Sequence, residues 1–257
     1  MIISYRADPA GVIRSAASSL NELFDRSRSH PPVICTTGGG GKTTVLRHFQ
    51  DQYLAEGCPS IVMTTTHIQD WDQPFCLRRE SREEAGAILE RFGRLWVGIP
   101  CESGKLGPVS HDFYKYLKSL DLPLLIEADG AKHQPVKAPR ASEPVIPAET
   151  DRVLWVCGLD CLGKRIIDTA CRPELTAALL NKTVEDRLDR RDIVMLALSD
   201  RGGRKGVGVR QYGVILNKAD DAALREEGDA IARDLAASGV NDVCVTADLA
   251  PRREDLD

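Results

Sequence analysis

The sequence predicts an α/β protein, a three-layer sandwich with a mostly parallel central sheet. Three observations support this class. Predicted strands and helices alternate along most of the chain, which is typical of a parallel sheet with right-handed crossovers. A glycine-rich turn joins an apolar strand to a helix at 37–44, and a second apolar strand leads into two carboxylates at 127 and 129.

The predicted elements follow in order along the chain. Apolar residues at helical spacing predict an amphipathic helix over 9–26. Short apolar runs predict strands at 33–36, 61–64, 94–99, 122–128, 153–157, 211–216 and 242–246. Helical patterns predict helices at 42–56, 81–92, 111–120, 172–181, 185–198 and 220–237. Four prolines make 129–149 a rigid extended loop, and glycines predict further loops at 100–108 and 201–208.

Composition disfavours several classes of partner and location. The 257 residues include 34 Lys+Arg and 38 Asp+Glu, a formal net charge of −4 without long blocks of like charge, which disfavours nucleic acid and membrane partners. No apolar run reaches the ~20 residues of a membrane span. The first residues lack a secretory signal, so we expect a cytoplasmic protein. Eight scattered cysteines favour free thiols over a metal site at Cys157, Cys161 and Cys171.

The glycine-rich turn is the strongest chemical signal. It comprises Thr37, Gly38, Gly39, Gly40, Gly41, Lys42, Thr43 and Thr44. Glycines let backbone N–H groups converge with a helix N-terminus on phosphate oxygens, which predicts a P-loop NTPase-like fold. Lys42 would bridge the β- and γ-phosphates, and the Thr43 hydroxyl would ligate Mg²⁺. The turn resembles the deviant Walker A ATPases, but Thr37 replaces their frequent extra lysine, so we expect no signature lysine from a partner subunit.

Two carboxylates follow the apolar strand at 122–128. Glu127 and Asp129 stand at i and i+2, and such residues project to one side of a strand. A strand end beside a phosphate loop is where the metal-holding acid of a nucleotide hydrolase lies. Either carboxylate, or both, could hold Mg²⁺ through water. We expect Asp129 to position Mg²⁺ with Thr43, and Glu127 to orient the nucleophile, so the predicted catalytic residues are Lys42, Glu127 and Asp129.

Asn217, Lys218 and Asp220 form an Asn-Lys-x-Asp run after an apolar strand, and this run predicts guanine recognition. An aspartate accepts from N1–H and N2–H₂ of guanine, whereas adenine presents the wrong donors. The asparagine amide would serve the other edge of the base, and the lysine stem would pack on the ring. The strand at 243–247 suggests a backbone N–H near the purine O6. The structural alternative makes Asp220 the N-cap of the last helix and puts Asn217 in a turn.

Seven runs together resemble one known family. They are TGGGGKTT at 37–44, TTTH at 64–67, IEADGAKHQPVKAP at 126–139, SEPVIP at 142–147, CGLDCLGK at 157–164, RPE at 172–174 and LNKAD at 216–220. In this order they resemble the selenium-dependent hydroxylase accessory proteins, bacterial P-loop proteins of the YqeC type. The resemblance spans 33 to about 246. It implies that 38–44 bind nucleotide phosphates, with Glu127 and Asp129 beside the metal.

The resemblance also marks Thr66, His67, Lys137, Glu143 and Arg172, which become candidate substrate-binding residues. Thr66 or His67 could contact Mg²⁺ or the γ-phosphate, although His67 could equally be an ordinary loop histidine. Lys137 and Arg172 could hold an anionic substrate, because arginine suits bidentate recognition of phosphate.

We expect a single P-loop NTPase-like domain over 1–257, because the two nucleotide motifs lie near opposite ends of the chain. Residues 1–32 would be an N-terminal helical extension. Far more chain separates Asp129 from Asn217 than the ~30 residues that a crossover needs. The stretch 130–210 is therefore predicted to be an elaborated insertion that carries substrate or partner contacts.

The predicted function is Mg²⁺-dependent binding and hydrolysis of a nucleoside triphosphate, GTP before ATP. The resemblance implies a role as accessory or maturation factor for a selenium-dependent molybdenum hydroxylase, with the hydroxylase or its maturation proteins as partners. One alternative is a P-loop small-molecule kinase or phosphotransferase that acts on a cofactor precursor held by 130–149. The other is a non-enzymatic nucleotide-sensing chaperone, which would bind nucleotide tightly and turn it over negligibly without its partner.

Overall fold

A ten-stranded sheet forms the centre of the computed structural model, which describes residues 1–8, 11–25, 30–101 and 104–249. The strands are β1 (Ile2–Asp8), β2 (Gly11–Ala16), β3 (Val33–Gly38), β4 (Ser60–Thr64), β5 (Ile68–Gln69), β6 (Cys76–Leu77), β7 (Arg94–Val97), β8 (Ile99–Pro100), β9 (Lys105–Gly107), β10 (Leu124–Glu127), β11 (Val136–Lys137), β12 (Arg152–Gly158), β13 (Ala170–Cys171), β14 (Gln211–Asn217) and β15 (Asp242–Thr246). The helices are α1 (Leu20–Phe24), α2 (Lys42–Ala55), α3 (Arg82–Phe92), α4 (His111–Ser119), α5 (Ile166–Thr169), α6 (Pro173–Leu180), α7 (Arg190–Leu198) and α8 (Ala222–Ala237).

Strand order places the glycine-rich turn at the middle of the sheet. The order is β2-β1-β15-β14-β12-β3-β10-β4-β7-β6. Neighbours from β15 to β6 pair in parallel, and β1 and β2 add an antiparallel edge. The chain moves from β3 to β4 and β7, returns to place β10 between β3 and β4, and then continues with β12, β14 and β15 on the other side of β3. Ligands of open α/β sheets bind outside the carboxyl ends of strands at such a reversal, so the topology points to the end of β3.

Helices cover both faces of this sheet and make three layers. On one face, Leu46 and Phe49 of α2 pack in the same cluster as Ile34 of β3. On the other face, Val33 and Cys35 of β3 share a cluster with buried residues of α3, α4, α7 and α8. The α/β class and the mostly parallel sheet are thus confirmed, and the arrangement is compatible with a P-loop-like sandwich. No helix within the described residues is both long and apolar enough to cross a membrane.

The helix predicted over 9–26 is wrong, and so is the helical character of the extension at 1–32. The structure instead forms the hairpin of β1 and β2 before the short helix α1. Strand β1 pairs with β15, so a partner some 240 residues away overrides the local helical spacing. Ile13, which belonged to the proposed apolar face, is 52 % exposed on the edge strand. Residues 9, 10 and 26 of the predicted helix lie outside the described residues.

Two other regions differ from the predicted pattern. The loop predicted at 100–108, of which 102–103 lie outside the described residues, contains β9, and β9 joins β5 and β8 in a small antiparallel sheet. The strand predicted at 153–157 is β12, which lies beside β3 at the centre of the sheet and so makes part of the predicted insertion at 130–210 belong to the sheet itself. The elaboration therefore divides into a proline-rich stretch before β12 and a helical stretch after it.

Candidate functional site

The glycine-rich turn begins at the carboxyl end of β3 and leads into the N-terminus of α2. Gly41 is the N-cap of α2 and has a φ of 102°, a left-handed value that disfavours other residues. At Gly40 an added Cβ would lie 2.0 Å from the backbone nitrogen of Gly158. Glycine is therefore required at Gly41 by backbone conformation and at Gly40 also by the close approach of β12.

Backbone N–H groups of the turn divide into two sets. Those of Gly38, Gly39 and Gly40 donate to Asp129 Oδ2 at 3.1 Å, Val156 O at 2.9 Å and Gln134 O at 3.0 Å. At the start of α2, Gly41 offers no side chain to cap the helix. The N–H groups of that first turn, together with the helix dipole, are the donors that suit phosphate oxygens.

Lys42 is folded back onto the turn. Its Nζ donates to the carbonyl oxygen of Gly38 at 2.6 Å and lies 3.1 Å from Asp129 Oδ1, with the side chain 3 % exposed. Burial lowers the pKa of Lys42, but the Asp129 and Glu127 carboxylates more than offset it and hold the pKa above its usual value. The ammonium is therefore charged at neutral pH and has to leave these partners to reach a phosphate.

Thr43 and Glu127 present two oxygens side by side. Thr43 Oγ1 donates to Glu127 Oε2 at 2.7 Å. Burial raises the pKa of Glu127 although Lys42 and the Thr43 hydrogen bond lower it. A hydroxyl and a carboxylate beside a phosphate site are ligands that Mg²⁺ takes, usually with water and phosphate oxygens completing the shell. No cluster of three or more His, Cys, Asp or Glu suited to a metal occurs among the described residues.

The sequence suggested that Thr43 acts together with Asp129, but in the structure Thr43 contacts Glu127 instead. Strand β10 ends at Glu127, so the alternation of side chains no longer governs Asp129. Asp129 turns to the Gly38 N–H and to the ammonium groups of Lys42 and Lys137. The geometry therefore favours Glu127 as the metal-facing carboxylate and Asp129 as an anchor for Lys42.

A buried chain of ion pairs continues from Asp129 towards the surface. Lys137 Nζ lies 3.1 Å from Asp129 Oδ2 and 2.6 Å from Glu143 Oε2, and it donates to Gly130 O at 2.7 Å. Arg172 donates to both Glu143 oxygens, at 2.9 and 3.0 Å. The Lys137 and Arg172 hydrogen bonds lower the pKa of Glu143 although burial raises it. Lys137 and Arg172 thus already pair with protein carboxylates, and the geometry favours a structural role over a hold on substrate.

The proline-rich loop lies against the carboxyl ends of β10 and β4. Val145 N–H donates to Ala128 O at 3.0 Å, and Thr65 Oγ1 donates to Val145 O at 2.7 Å. Thr66 N–H donates to Thr64 Oγ1 at 3.0 Å, which turns the chain towards the exposed His67. The loop therefore brings Glu143 to the site, and the turn after β4 brings His67 to its mouth.

Asn217 ties the glycine-rich turn to the last two strands. Its Nδ2 donates to Gly40 O at 2.8 Å, and its Oδ1 accepts from Thr246 Oγ1 at 2.9 Å. Both ends of the amide are thus used by protein. Lys218 Nζ donates to Asp160 Oδ2 at 2.9 Å. Asn217 consequently positions the turn, in contrast to the direct base contact that the sequence suggested.

Asp220 is exposed, and one of its oxygens accepts from Asp248 N–H at 3.1 Å. The N-cap of α8 is Asp221, so the structural alternative for Asp220 is wrong. In the stretch predicted to supply a backbone donor for the purine O6, the Ala247 N–H already donates to Met1 O at 3.1 Å and extends the pairing of β1 with β15. Among Asn217, Lys218 and Asp220, Asp220 is the exposed residue.

A cleft of about 100 Å³ opens beside α2. It is lined by Gly39, Gly40, Gly41, Lys42, Thr43, His67, Ile68, Gln69, Lys105, Glu127, Gly130, Ala131, Lys132, His133 and Gln134. Sequence reasoning did not single out Lys105, Lys132 or His133. Lys132 and His133 stand inside the run at 126–139, which was the available signal. No signal in the sequence pointed to Lys105, because the pairing of β9 with β5 produces no recognisable pattern in the local sequence.

These features define an α/β protein in which a glycine-rich turn opens a helix at the carboxyl edge of a mostly parallel sheet. The family model described as YqeC protein matches residues 34–174, and the chain belongs to the YqeC family. It is similar to the uncharacterized protein YqeC of Escherichia coli (strain K12), with 28 % identity over 189 residues that cover 70 % of this chain and 73 % of that protein. The family resemblance is thereby confirmed. The matched range includes the turn and Arg172 but ends before Asn217.

Proposed function

We propose that this chain binds a nucleoside triphosphate together with Mg²⁺, GTP in preference to ATP, and hydrolyses it. One observation carries the proposal: the glycine turn opens α2 at the central strand of the sheet, with the Thr43 and Glu127 oxygens 2.7 Å apart beside it. The first-turn N–H groups of α2 and the Lys42 ammonium would hold the phosphates. Thr43 and Glu127 would hold Mg²⁺, which supplies charge neutralisation at the β- and γ-oxygens.

The protein's own groups divide the work. Lys42 exchanges Asp129 and Gly38 O for phosphate oxygens and stabilises the charge of the transferring phosphoryl group. Asp129 stays with Lys137, so the anchor remains neutralised when Lys42 leaves. Asp220 accepts the N1–H and N2–H₂ of guanine with its exposed oxygen, and this contact supports GTP over ATP.

The family membership supports a further part of the proposal. We propose that the nucleotide cycle serves maturation of a selenium-dependent molybdenum hydroxylase in the cytoplasm. The three hydrogen bonds that hold Gly38, Gly39 and Gly40 to protein would have to rearrange if these N–H groups also bind phosphate, so the turn differs between empty and loaded states. Nucleotide-dependent co-purification of the chain with such a hydroxylase tests this part.

Calorimetry with GTP and ATP, with and without Mg²⁺, tests the core of the proposal. We expect Mg²⁺-dependent binding of GTP, which Lys42→Ala weakens by about tenfold or more, because a charge-assisted contact is lost. Asp220→Asn exchanges an acceptor for a donor and should shift preference from GTP to XTP. Equal binding by the Lys42→Ala protein overturns phosphate binding at the turn, and preference for ATP overturns the guanine contact. Tight binding without hydrolysis favours the nucleotide-sensing alternative.

A further inference from the structure

One wall of the cleft is the small antiparallel sheet of β5, β9 and β8. Its register pairs Ile68 with Leu106 and Gln69 with Lys105. Ile68 and Leu106 are buried, at 3 % and 1 % exposed. Gln69 and Lys105 therefore project from the opposite face of the sheet, because side chains alternate along a strand. Gln69 and Lys105 line the cleft, together with the neighbouring Ile68 and His67.

A second part of the cleft lining is the turn at 130–134. Lys132 and His133 have φ values of 51° and 61°, two consecutive residues in a region that non-glycine residues rarely adopt. Gln134 N–H donates to Ala131 O at 3.0 Å, and Gly40 N–H donates to Gln134 O at 3.0 Å. The glycine turn thus holds this second turn in place. Strained turns of this kind cluster at functional sites, and this one presents Lys132 and His133 at the cleft.

Charge in the cleft exceeds what one lysine of a phosphate loop supplies. Lys42, Lys105 and Lys132 line the cleft, and Glu127 is the one carboxylate in the lining. The Glu127 carboxylate is already engaged by the Thr43 hydroxyl. Lys42 serves the phosphates of the proposed nucleotide, which leaves Lys105 and Lys132 as the further cations of the lining.

Sheet order indicates which end of the cleft these two lysines occupy. Asp220 follows β14 and His67 follows β4, and β14 and β4 lie on opposite sides of β3. A guanine held by Asp220 directs the terminal phosphate away from β14 and towards the β4 side. Lys132 follows β10, which lies on the same side of β3 as β4, and Lys105 pairs with Gln69 just after β4. Both lysines are therefore on the side towards which the terminal phosphate points.

We infer that the outer part of this cleft is a second oxyanion subsite, for a free tetrahedral oxyanion or a phosphorylated small molecule. Lys105 and Lys132 are its cations, and His67 and His133 supply further hydrogen-bond donors. The inference rests on the proposed function, because the direction of the nucleotide decides which end of the cleft is free. It deepens that function, since an anion bound there lies next to the terminal phosphate, where a phosphoryl acceptor has to be.

Titration of inorganic phosphate into the full chain, already saturated with Mg²⁺ and the β,γ-imido analogue of GTP, tests the subsite. We expect saturable binding of one phosphate, in competition with sulfate. Lys105→Met should weaken phosphate binding by about tenfold or more, as loss of one charge-assisted hydrogen bond does, with analogue affinity changed less than about twofold. Lys115→Met removes one exposed lysine from α4 and is the matched control.

Lys132→Gly is a second variant that is expected to fold, because glycine is the favoured residue at this positive φ. It should weaken phosphate binding as Lys105→Met does. Absence of phosphate binding beside the analogue overturns the subsite, and so does unchanged binding in both variants. A glycerol 3-phosphate arm separates the two ligand sources, because tighter binding than that of phosphate identifies a phosphorylated molecule. The chain is first titrated with the analogue and Mg²⁺ alone. If the analogue does not bind in that titration, the proposed function is overturned and the subsite is not the cause.

Discussion

Replacing Lys137 by methionine should destabilise the protein by about 3 kcal/mol at neutral pH. Its ammonium is fully buried between Asp129 and Glu143, at 3.1 and 2.6 Å. Removing one partner of a buried ion pair costs about 3–5 kcal/mol, because a charge is left uncompensated. The lower figure applies because Asp129 keeps Lys42 and Glu143 keeps Arg172. Methionine fills most of the vacated volume, so the cost is electrostatic and not a cavity.

Urea unfolding monitored by circular dichroism measures this loss, which corresponds to about a hundredfold change in the folded-to-unfolded ratio. Lys115→Met, on the exposed side of α4, should stay within about 0.5 kcal/mol of the parent. Adding Glu143→Gln to Lys137→Met should restore part of the stability, because it removes one unpaired carboxylate. If Lys137→Met were as stable as the Lys115 variant, the electrostatic account of this cluster would be refuted.

The same pair of proteins should respond to pH. The pKa of Glu143 is lowered in the folded chain from its ordinary 4.5. Its stabilising contribution is therefore complete above that ordinary pKa and disappears as pH falls through the lower, folded-state pKa. The difference in unfolding free energy between the parent and Lys137→Met should accordingly narrow below about pH 4.5. A difference that stayed constant down to acid pH would contradict the ionic origin of the effect.

Three further outcomes are expected. Gly40→Ala should cost more than about 2 kcal/mol and abolish nucleotide binding, because its Cβ meets Gly158 at 2.0 Å, whereas the helical control Gly86→Ala meets nothing within 4 Å and should gain about 0.5–1 kcal/mol in the same urea assay. Glu127→Gln should raise the stability of the protein at pH 7 while Mg²⁺-dependent hydrolysis falls, because burial raises the pKa of this carboxyl and its ionisation opposes folding. The gain in stability should vanish below the ordinary pKa of 4.5, and a loss of stability at pH 7 would contradict this account of Glu127. Asn217→Ala should lower the free energy of unfolding by about 2–3 kcal/mol in thermal or urea unfolding, because two buried hydrogen bonds are lost. An effect under about 0.5 kcal/mol would show that these hydrogen bonds contribute little to stability.

Elements with strong local signals were predictable. Strand β3 and helix α2 agree with the predicted strand and helix within two residues, because apolar pattern, glycine turn and helix all lie within one short stretch. Proximity of the turn to the carboxylates at the end of β10 also followed from parallel strand ends meeting at one edge. Which carboxylate faces Thr43 did not follow, because it depends on where β10 ceases to be extended.

Features that arise from distant pairing were not predictable from local pattern. The N-terminal hairpin exists because β15 offers β1 an edge, and the same pairing takes the Ala247 N–H, which lies in the stretch predicted to offer a backbone donor to a base. Lys105 reaches the cleft through a three-residue strand whose partner lies in another loop. The tether from Asn217 to Gly40 spans 177 residues of sequence, so the Asn-Lys-x-Asp run could be recognised but the use of its asparagine could not.

The central place of β3 has a consequence for how the chain is made. Val33 faces Leu124 on one side of β3, and Ile34 faces Arg152 on the other. A ribosome that adds about 5–20 residues per second therefore leaves β3 without either neighbour for about 5–18 seconds after it is synthesised. Throughout that interval an apolar strand with both edges open is exposed, the arrangement from which edge-to-edge aggregation starts. Chains interrupted before β10 should therefore aggregate or bind holding chaperones, while chains that extend past β12 close both edges.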